Sequence, residues 1–206
     1  MEFGSVKTIK SFAESKYKEK GSVFIAQVYP VTTQAQAEDI LNSVRKKYYD
    51  ATHHCFAYKL FNGHVKYSDD GEPAGTAGIR ILNAIEHFDL QNVLIIVIRY
   101  FGGTKLGVGP LGKAYYTSAL NALEISETVE KKIYFKIKIF YDYDFTNKVH
   151  HLLSKHSVKG IVNGFDNKPF IECMIEGNKT EDLIGELIES TSNKIKIEKS
   201  EIPQLI

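Results

Sequence analysis

The chain contains no tryptophan and only two cysteines, Cys55 and Cys173, far apart in its 206 residues. Two distant cysteines do not build a disulfide framework, so the expected compartment is the cytoplasm. Long apolar runs are also missing. The longest, Val93–Ile98, falls far short of the ~20 residues that a membrane-spanning helix needs. No membrane partner is therefore expected. Charge of one sign is not in excess: Lys+Arg is 26 and Asp+Glu is 25, a net charge of +1. That excludes a generally basic nucleic-acid coat and leaves room for a local patch. The first residues lack the basic region and apolar core of a secretion signal, and Met1–Ser5 reads as a cloning scar. No repeat or low-complexity tract is visible. What remains is ordinary globular composition, 43% hydrophobic and 25% charged, in a chain long enough for one large domain or two small ones.

The C-terminal third has the clearest pattern. Ile133–Tyr141 alternates apolar and basic residues, as a half-buried strand does. Asp144 is read as the cap of a helix with Phe145, Val149, Leu152 and Leu153 on one face. Val158–Phe165 and Pro169–Ile175 read as strands joined by the turn residues Asp166-Asn167-Lys168. Thr180 is read as the cap of a second helix, with Leu183, Ile184, Leu187 and Ile188 inward. Lys194–Glu198 closes a β-α-β-β-α-β series, the ferredoxin-like pattern.

The N-terminal part is also α+β. Strands are expected at Val6–Phe12, Val23–Tyr29, Cys55–Phe61, Val65–Tyr67 and Val93–Tyr100, with Asn62-Gly63 as a hairpin turn. Helices are expected from Thr32 or Thr33, over Thr76–Phe88 (with Ile79, Leu82, Ala84 and Ile85 buried) and over Pro110–Ile125. The charged segment Glu127–Lys132 marks a boundary, giving domains 1–130 and 131–206.

Three segments could carry chemistry. In Asp50–Cys55, His53 and His54 are neighbours on a strand and point to opposite faces, so they do not share a metal ion. In Ser68–Gly78, Asp69, Asp70 and Glu72 precede small residues entering a helix. The spacing is not that of a calcium loop. Two readings stand: a strand-to-helix turn capped by Thr76, or carboxylates bordering a site. In Arg99–Tyr115, a Gly-rich loop follows a strand and opens a helix. Such a loop makes an anion cradle from backbone N–H groups, here with Arg99, Gly102, Gly103, Lys105 and Lys113. Gly107–Lys113 imitates a P-loop, but Ala114 stands where a hydroxyl must hold Mg²⁺. The alternative is a loop whose glycines let it cross closely over the sheet. No nucleophile sits in an elbow or beside a base, so no catalytic residue, cofactor or metal is assigned.

Together these segments resemble the YigZ/IMPACT family. The resemblance is carried by Phe24-Ile25-Ala26, Asp50–Tyr58, Ser68–Pro73 with Gly75–Gly78, and Arg99–Gly103 with Lys105-Leu106-Gly107. Val23, Pro110 and Lys113 depart from the family's usual basic residue, Gly and Arg. The resemblance implies an N-terminal βαβ domain like those of ribosomal proteins and elongation factor G. It also implies a C-terminal domain like the last domain of elongation factor G. Eukaryotic relatives act in translational control by competing for the activator of an initiation-factor kinase. The expected function is thus a non-enzymatic binding protein linked to translation. It would contact RNA, the ribosome or a protein partner through the basic loop, with His53, His54, Asp69, Asp70 and Glu72 bordering the site. The competing expectation is an enzyme of a nucleotide or phosphorylated small molecule, with Mg²⁺ at Asp69 or Asp70.

Overall fold

Val93–Tyr100 contains the longest unbroken apolar run in the chain, and it forms the middle of a sheet. The computed structural model describes residues 4–201 and 203–206. These form two compact units, Lys7–Glu130 and Lys131–Ile206 together with the stretch ending at Val6. The strands are β1 (Ser5–Ile9), β2 (Ala13–Glu19), β3 (Ser22–Pro30), β4 (His53–Lys59), β5 (Val65–Ser68), β6 (Val93–Tyr100), β7 (Thr128–Phe140), β8 (Lys159–Asp166), β9 (Lys168–Glu176), β10 (Lys196–Lys199) and β11 (Gln204–Leu205). The helices are α1 (Gln34–Lys47), α2 (Gly78–His87), α3 (Val108–Glu124), α4 (Thr146–Lys155) and α5 (Thr180–Ser190). None of the helices among the described residues is long and apolar enough to cross a membrane. The fold is α+β.

In the larger unit the strand order is β2-β3-β6-β4-β5, with every pair antiparallel. Strands β3 and β4 therefore run parallel to each other with β6 inserted between them. The intervening α1 makes this a split βαβ connection. Side chains alternate across β6. Leu94, Ile96 and Ile98 pack with Ala37, Leu41 and Val44 of α1. Ile95 and Val97 pack with Ile81, Ile85, Tyr115 and Ala119 of α2 and α3. A strand covered on both faces needs apolar residues at every position, which is why β6 reads as a continuous run.

In the second unit β7 pairs with both β9 and β10, and β9 pairs with β8, all antiparallel. The order β10-β7-β9-β8 is the ferredoxin-like arrangement of a βαββαβ chain. Buried Ile137, Ile139, Ile171, Cys173 and Ile175 form one face of the sheet, and the buried stripes of α4 (Val149, Leu152, Leu153) and α5 (Leu183, Leu187) complete the core.

Several local expectations are corrected. Ala13–Glu19, not foreseen as a strand, pairs along all of β3. The first strand ends at Ile9 rather than Phe12, and Glu127–Lys132 is largely strand rather than linker. Thr33 does cap α1, accepting from the Gln36 N–H. Thr76, Asp144 and Thr180 do not cap their helices. The Thr76 hydroxyl donates to the Pro73 carbonyl, Asp144 lies within a short 3₁₀ turn, and Thr180 donates back to Glu176. In α2 the buried stripe is Ile81, Leu82, Ala84 and Ile85, with Ile79 only half-buried.

Candidate functional site

Antiparallel pairing brings the start of β4, the end of β5 and the end of β6 to one edge of the larger sheet. His53 lies opposite Arg99, and Ser68 opposite Phe56. The three polar segments meet there. A cleft of about 350 Å³ opens at that edge, lined among others by Thr52, His53, Glu72, Arg99, Phe101 and Lys105, with Leu106, Val108 and Leu111 behind.

The acidic turn divides its three carboxylates among three tasks. The Asp69 carboxylate accepts from the N–H groups of Gly75, Ala77 and Gly78 at 2.8–2.9 Å. It is the N-terminal cap of α2, supplied from eight residues upstream. Burial raises its pKa, but the three donors outweigh that and hold it below the ordinary carboxylate value. Gly78 is required here, because a Cβ would lie 2.7 Å from the Ser68 nitrogen. Asp70, at φ +44°, binds Arg45 at 2.8 Å and accepts from the His54 N–H at 2.7 Å. Glu72 alone enters the cleft. Carboxylates turned to three different partners do not converge on an ion. Among the described residues, no group of His, Cys, Asp and Glu is placed to hold a metal.

Glu72 is ion-paired to Arg99, and both side chains are almost wholly buried, 4% and 6% exposed. The same Glu72 oxygen accepts from the Tyr115 hydroxyl at 2.7 Å. The Arg99 guanidinium lies against Phe24 on one side and Phe101 on another, 5.3 and 5.5 Å from the ring centres. Its positive charge is thus balanced inside the protein. His53 joins this floor. Its Nδ1 donates to the Asp70 carbonyl at 2.8 Å, and its Nε2 faces Glu72 at 3.8 Å. The carbonyl can only accept, so in the neutral ring the proton sits on Nδ1 and Nε2 is an acceptor. His54 points to the other side, where Nε2 lies 3.0 Å from the Tyr48 carbonyl. Cys55 lies beneath, 3.0 Å from the Asp69 carbonyl and 3.3 Å from the Tyr115 hydroxyl. Burial pushes its thiol far above the ordinary range, so it is not a thiolate nucleophile.

The Gly-rich loop runs Phe101–Gly107 before α3. Gly102 crosses so closely over the β2–β3 turn that a Cβ on it would overlap Gly21. Its N–H donates to the Ser22 hydroxyl at 3.2 Å, which also accepts from Arg99 at 3.3 Å. That N–H is therefore not open to an anion. Gly103 (φ +83°) and Lys105 are exposed, and Lys105 lines the cleft mouth. Lys113 is exposed on α3 but does not line the cleft. Three contributors were absent from the sequence-based set: Tyr115, Thr52 and Phe101. Phe101 is 45% exposed, and a large apolar residue at the start of a Gly-rich loop is the sequence signal that could have singled it out.

Comparison with known proteins places the geometry in context. Residues 20–123 match the family described as the Impact N-terminal domain. The chain is similar to the IMPACT family member YvyE of Bacillus subtilis (strain 168), 33% identical over 202 residues, covering 96% of this chain and 92% of that one. It is similar to Protein IMPACT of Xenopus laevis, 35% identical over 96 residues, 43% of this chain and 30% of the relative. A solved structure described as a hypothetical protein is similar with TM-score 0.69 and 25% identity, over 94% of this chain and 96% of that one.

Proposed function

The chain belongs to the IMPACT family, and on that premise we propose that it is a non-enzymatic binding protein of the translation apparatus that contacts RNA at the Phe101–Gly107 loop. The observation that supports this reading is the exposed Phe101 ring, backed by the Arg99 guanidinium and flanked by Lys105 at the cleft mouth. A fixed aromatic plane stacks on an unpaired base, and a neighbouring lysine meets its phosphate. The close crossing of Gly102 over Gly21 holds the plane in place before any ligand arrives. Preorganisation of this kind lowers the ordering cost of binding. The link to translation comes from the resemblance to eukaryotic IMPACT proteins.

Co-sedimentation with ribosomes across a salt series tests the reading, with Phe101→Ala and Lys105→Ala beside the parent chain. These two side chains are exposed, so the variants keep their fold. Arg99→Ala is the wrong probe, since it opens a buried ion pair. Salt-sensitive binding that falls about tenfold in the variants is the expected result. Unchanged sedimentation of both variants overturns the reading. Mg²⁺-dependent binding of a mononucleotide, without ribosome binding, moves the function to an enzyme of phosphorylated small molecules.

A further inference from the structure

On the sheet face opposite the buried isoleucines, Lys136, Val162, Lys196 and Glu198 are exposed and Lys138, Phe140, Phe170 and Glu172 half-buried. Register across β10, β7, β9 and β8 sets out what lies on it. One row reads Lys196, Phe140, Phe170, Gly164. The next reads Glu198, Lys138, Glu172, Val162. A third holds Lys136, Met174 and Lys159. The first row is a shelf of two neighbouring aromatic rings, inclined to each other by 53°. The Phe140 and Phe170 ring centres are 5.7 Å apart on the two central strands. The Phe170 ring lies over Gly164, where a Cβ would come within 2.2 Å of it. A side chain at that position would push the ring off the sheet.

The shelf is also cationic. Lys138 Nζ sits 3.8 Å above the Phe170 ring centre and 5.1 Å from that of Phe140. Lys196 lies 5.5 Å from the Phe140 ring centre. The three rows hold four lysines, Lys136, Lys138, Lys159 and Lys196, against two carboxylates, Glu172 and Glu198. Glu172 is shared between Lys136 and Lys138, at 2.6 and 3.3 Å, and Glu198 pairs with Lys196 at 2.6 Å, so the rows carry a net excess of two positive charges. Lysines in the middle of an exposed sheet are wrong for a protein partner, whose contact cores are depleted of lysine. They are right for a polyanion that brings flat rings of its own.

We infer that this face of β10-β7-β9-β8 binds single-stranded nucleic acid, with bases stacked on Phe140 and Phe170 and phosphates met by Lys136, Lys159 and Lys196. Aromatic side chains on the two central strands of a βαββαβ sheet give bases a stacking platform, and the stacking is tolerant of sequence. A bound base takes the place of Lys138 on the Phe170 face, and the Lys138 ammonium keeps its pairing with Glu172. This surface lies in a different unit from the cleft, and its failure does not carry the cleft reading with it.

Fluorescence anisotropy of the full chain with labelled, unstructured 12-nucleotide RNA and DNA tests the inference. The key variant is Phe140→Leu with Phe170→Leu, which keeps apolar bulk and removes the π-faces. Circular dichroism confirms its fold. The expected loss is about tenfold in affinity, equal for RNA and DNA, with duplex DNA binding more weakly than either strand. Lys136→Gln with Lys159→Gln lowers the salt slope by about two contacts. Parental affinity in the leucine variant overturns the inference. So does a preference for duplex, or a chain that self-associates through this face in sedimentation velocity. Binding lost in Lys105→Ala but intact in the leucine variant assigns the nucleic acid to the cleft loop alone. Binding lost in the leucine variant but intact in Lys105→Ala supports the shelf and removes the loop reading.

Discussion

Gly102 and Gly21 approach backbone to backbone, so closely that neither the chain nor a rotamer change leaves room for a methyl group between them. Gly21 adds its own requirement, with φ at +81°. This contact pins the Phe101–Gly107 loop to the β2–β3 turn.

Gly102→Ala therefore displaces the loop or strains both turns. The expected cost is about 2–4 kcal/mol, in the range of overpacked sites. Thermal unfolding reads it as a drop of roughly 5–15 °C for a chain of this size. Gly103→Ala is the useful contrast. Its φ of +83° makes alanine unfavourable, but open space surrounds it, so its cost is about 1 kcal/mol. Equal stability of Gly102→Ala and the parent would show that the loop is not held this way.

Arg99 and Glu72 are buried together, so losing either strands the other. Arg99→Met or Glu72→Leu alone is expected to cost about 3–5 kcal/mol. The pair replaced jointly by Met and Leu loses much less, because no unpaired charge is left behind. Chemical denaturation of the two single variants and the double variant makes the cycle. Additive losses would mean that the ion pair does not couple them.

Asp69 ties acid stability to the start of α2. Its folded pKa lies below the ordinary value of 3.8. A depressed carboxylate contributes stability that is fully present above its unfolded pKa and is lost as pH falls through the folded one. Asp69→Asn keeps an acceptor but no charge. It is expected to cost about 1 kcal/mol at pH 7 and to narrow its deficit as pH falls below about 4. Denaturation midpoints from pH 2 to 7 measure this. A deficit that stays constant across that range would remove the carboxylate's charge from the account.

Much of the framework was legible because local chemistry and tertiary role agree. The buried run of β6, a helix start at Thr32 or Thr33 and the βαββαβ order all announce themselves in composition and period. Ala13–Glu19 did not. It is an edge strand with few apolar residues, and only its pairing with β3 makes it a strand. The cap of α2 failed for a related reason. A threonine just ahead of a helix looks like a cap, while the real acceptor at α2 is Asp69 across a turn. At the site, residue types were legible and their electrostatics were not. Arg99 reads as a free cation until Glu72, 27 residues away, is seen against it. Phe101 and Tyr115 lay within the Gly-rich segment without a role of their own until the structure put one at the cleft and the other beneath it, bonded to Glu72.

The insertion of β6 between β3 and β4 also governs how the larger unit comes into being during synthesis. Residues 22–59 already hold both flanking strands and their helix, yet these two strands have no bonds to each other. Their backbone groups wait for a strand that begins only at Val93, 34 residues after β4 ends at Lys59. Until Tyr100 has emerged, the nascent chain exposes two unpaired strand borders and the apolar face of α1. The sheet of the larger unit therefore cannot close until β6 has been made, and a pause in translation before Val93 prolongs the exposure of those unpaired borders.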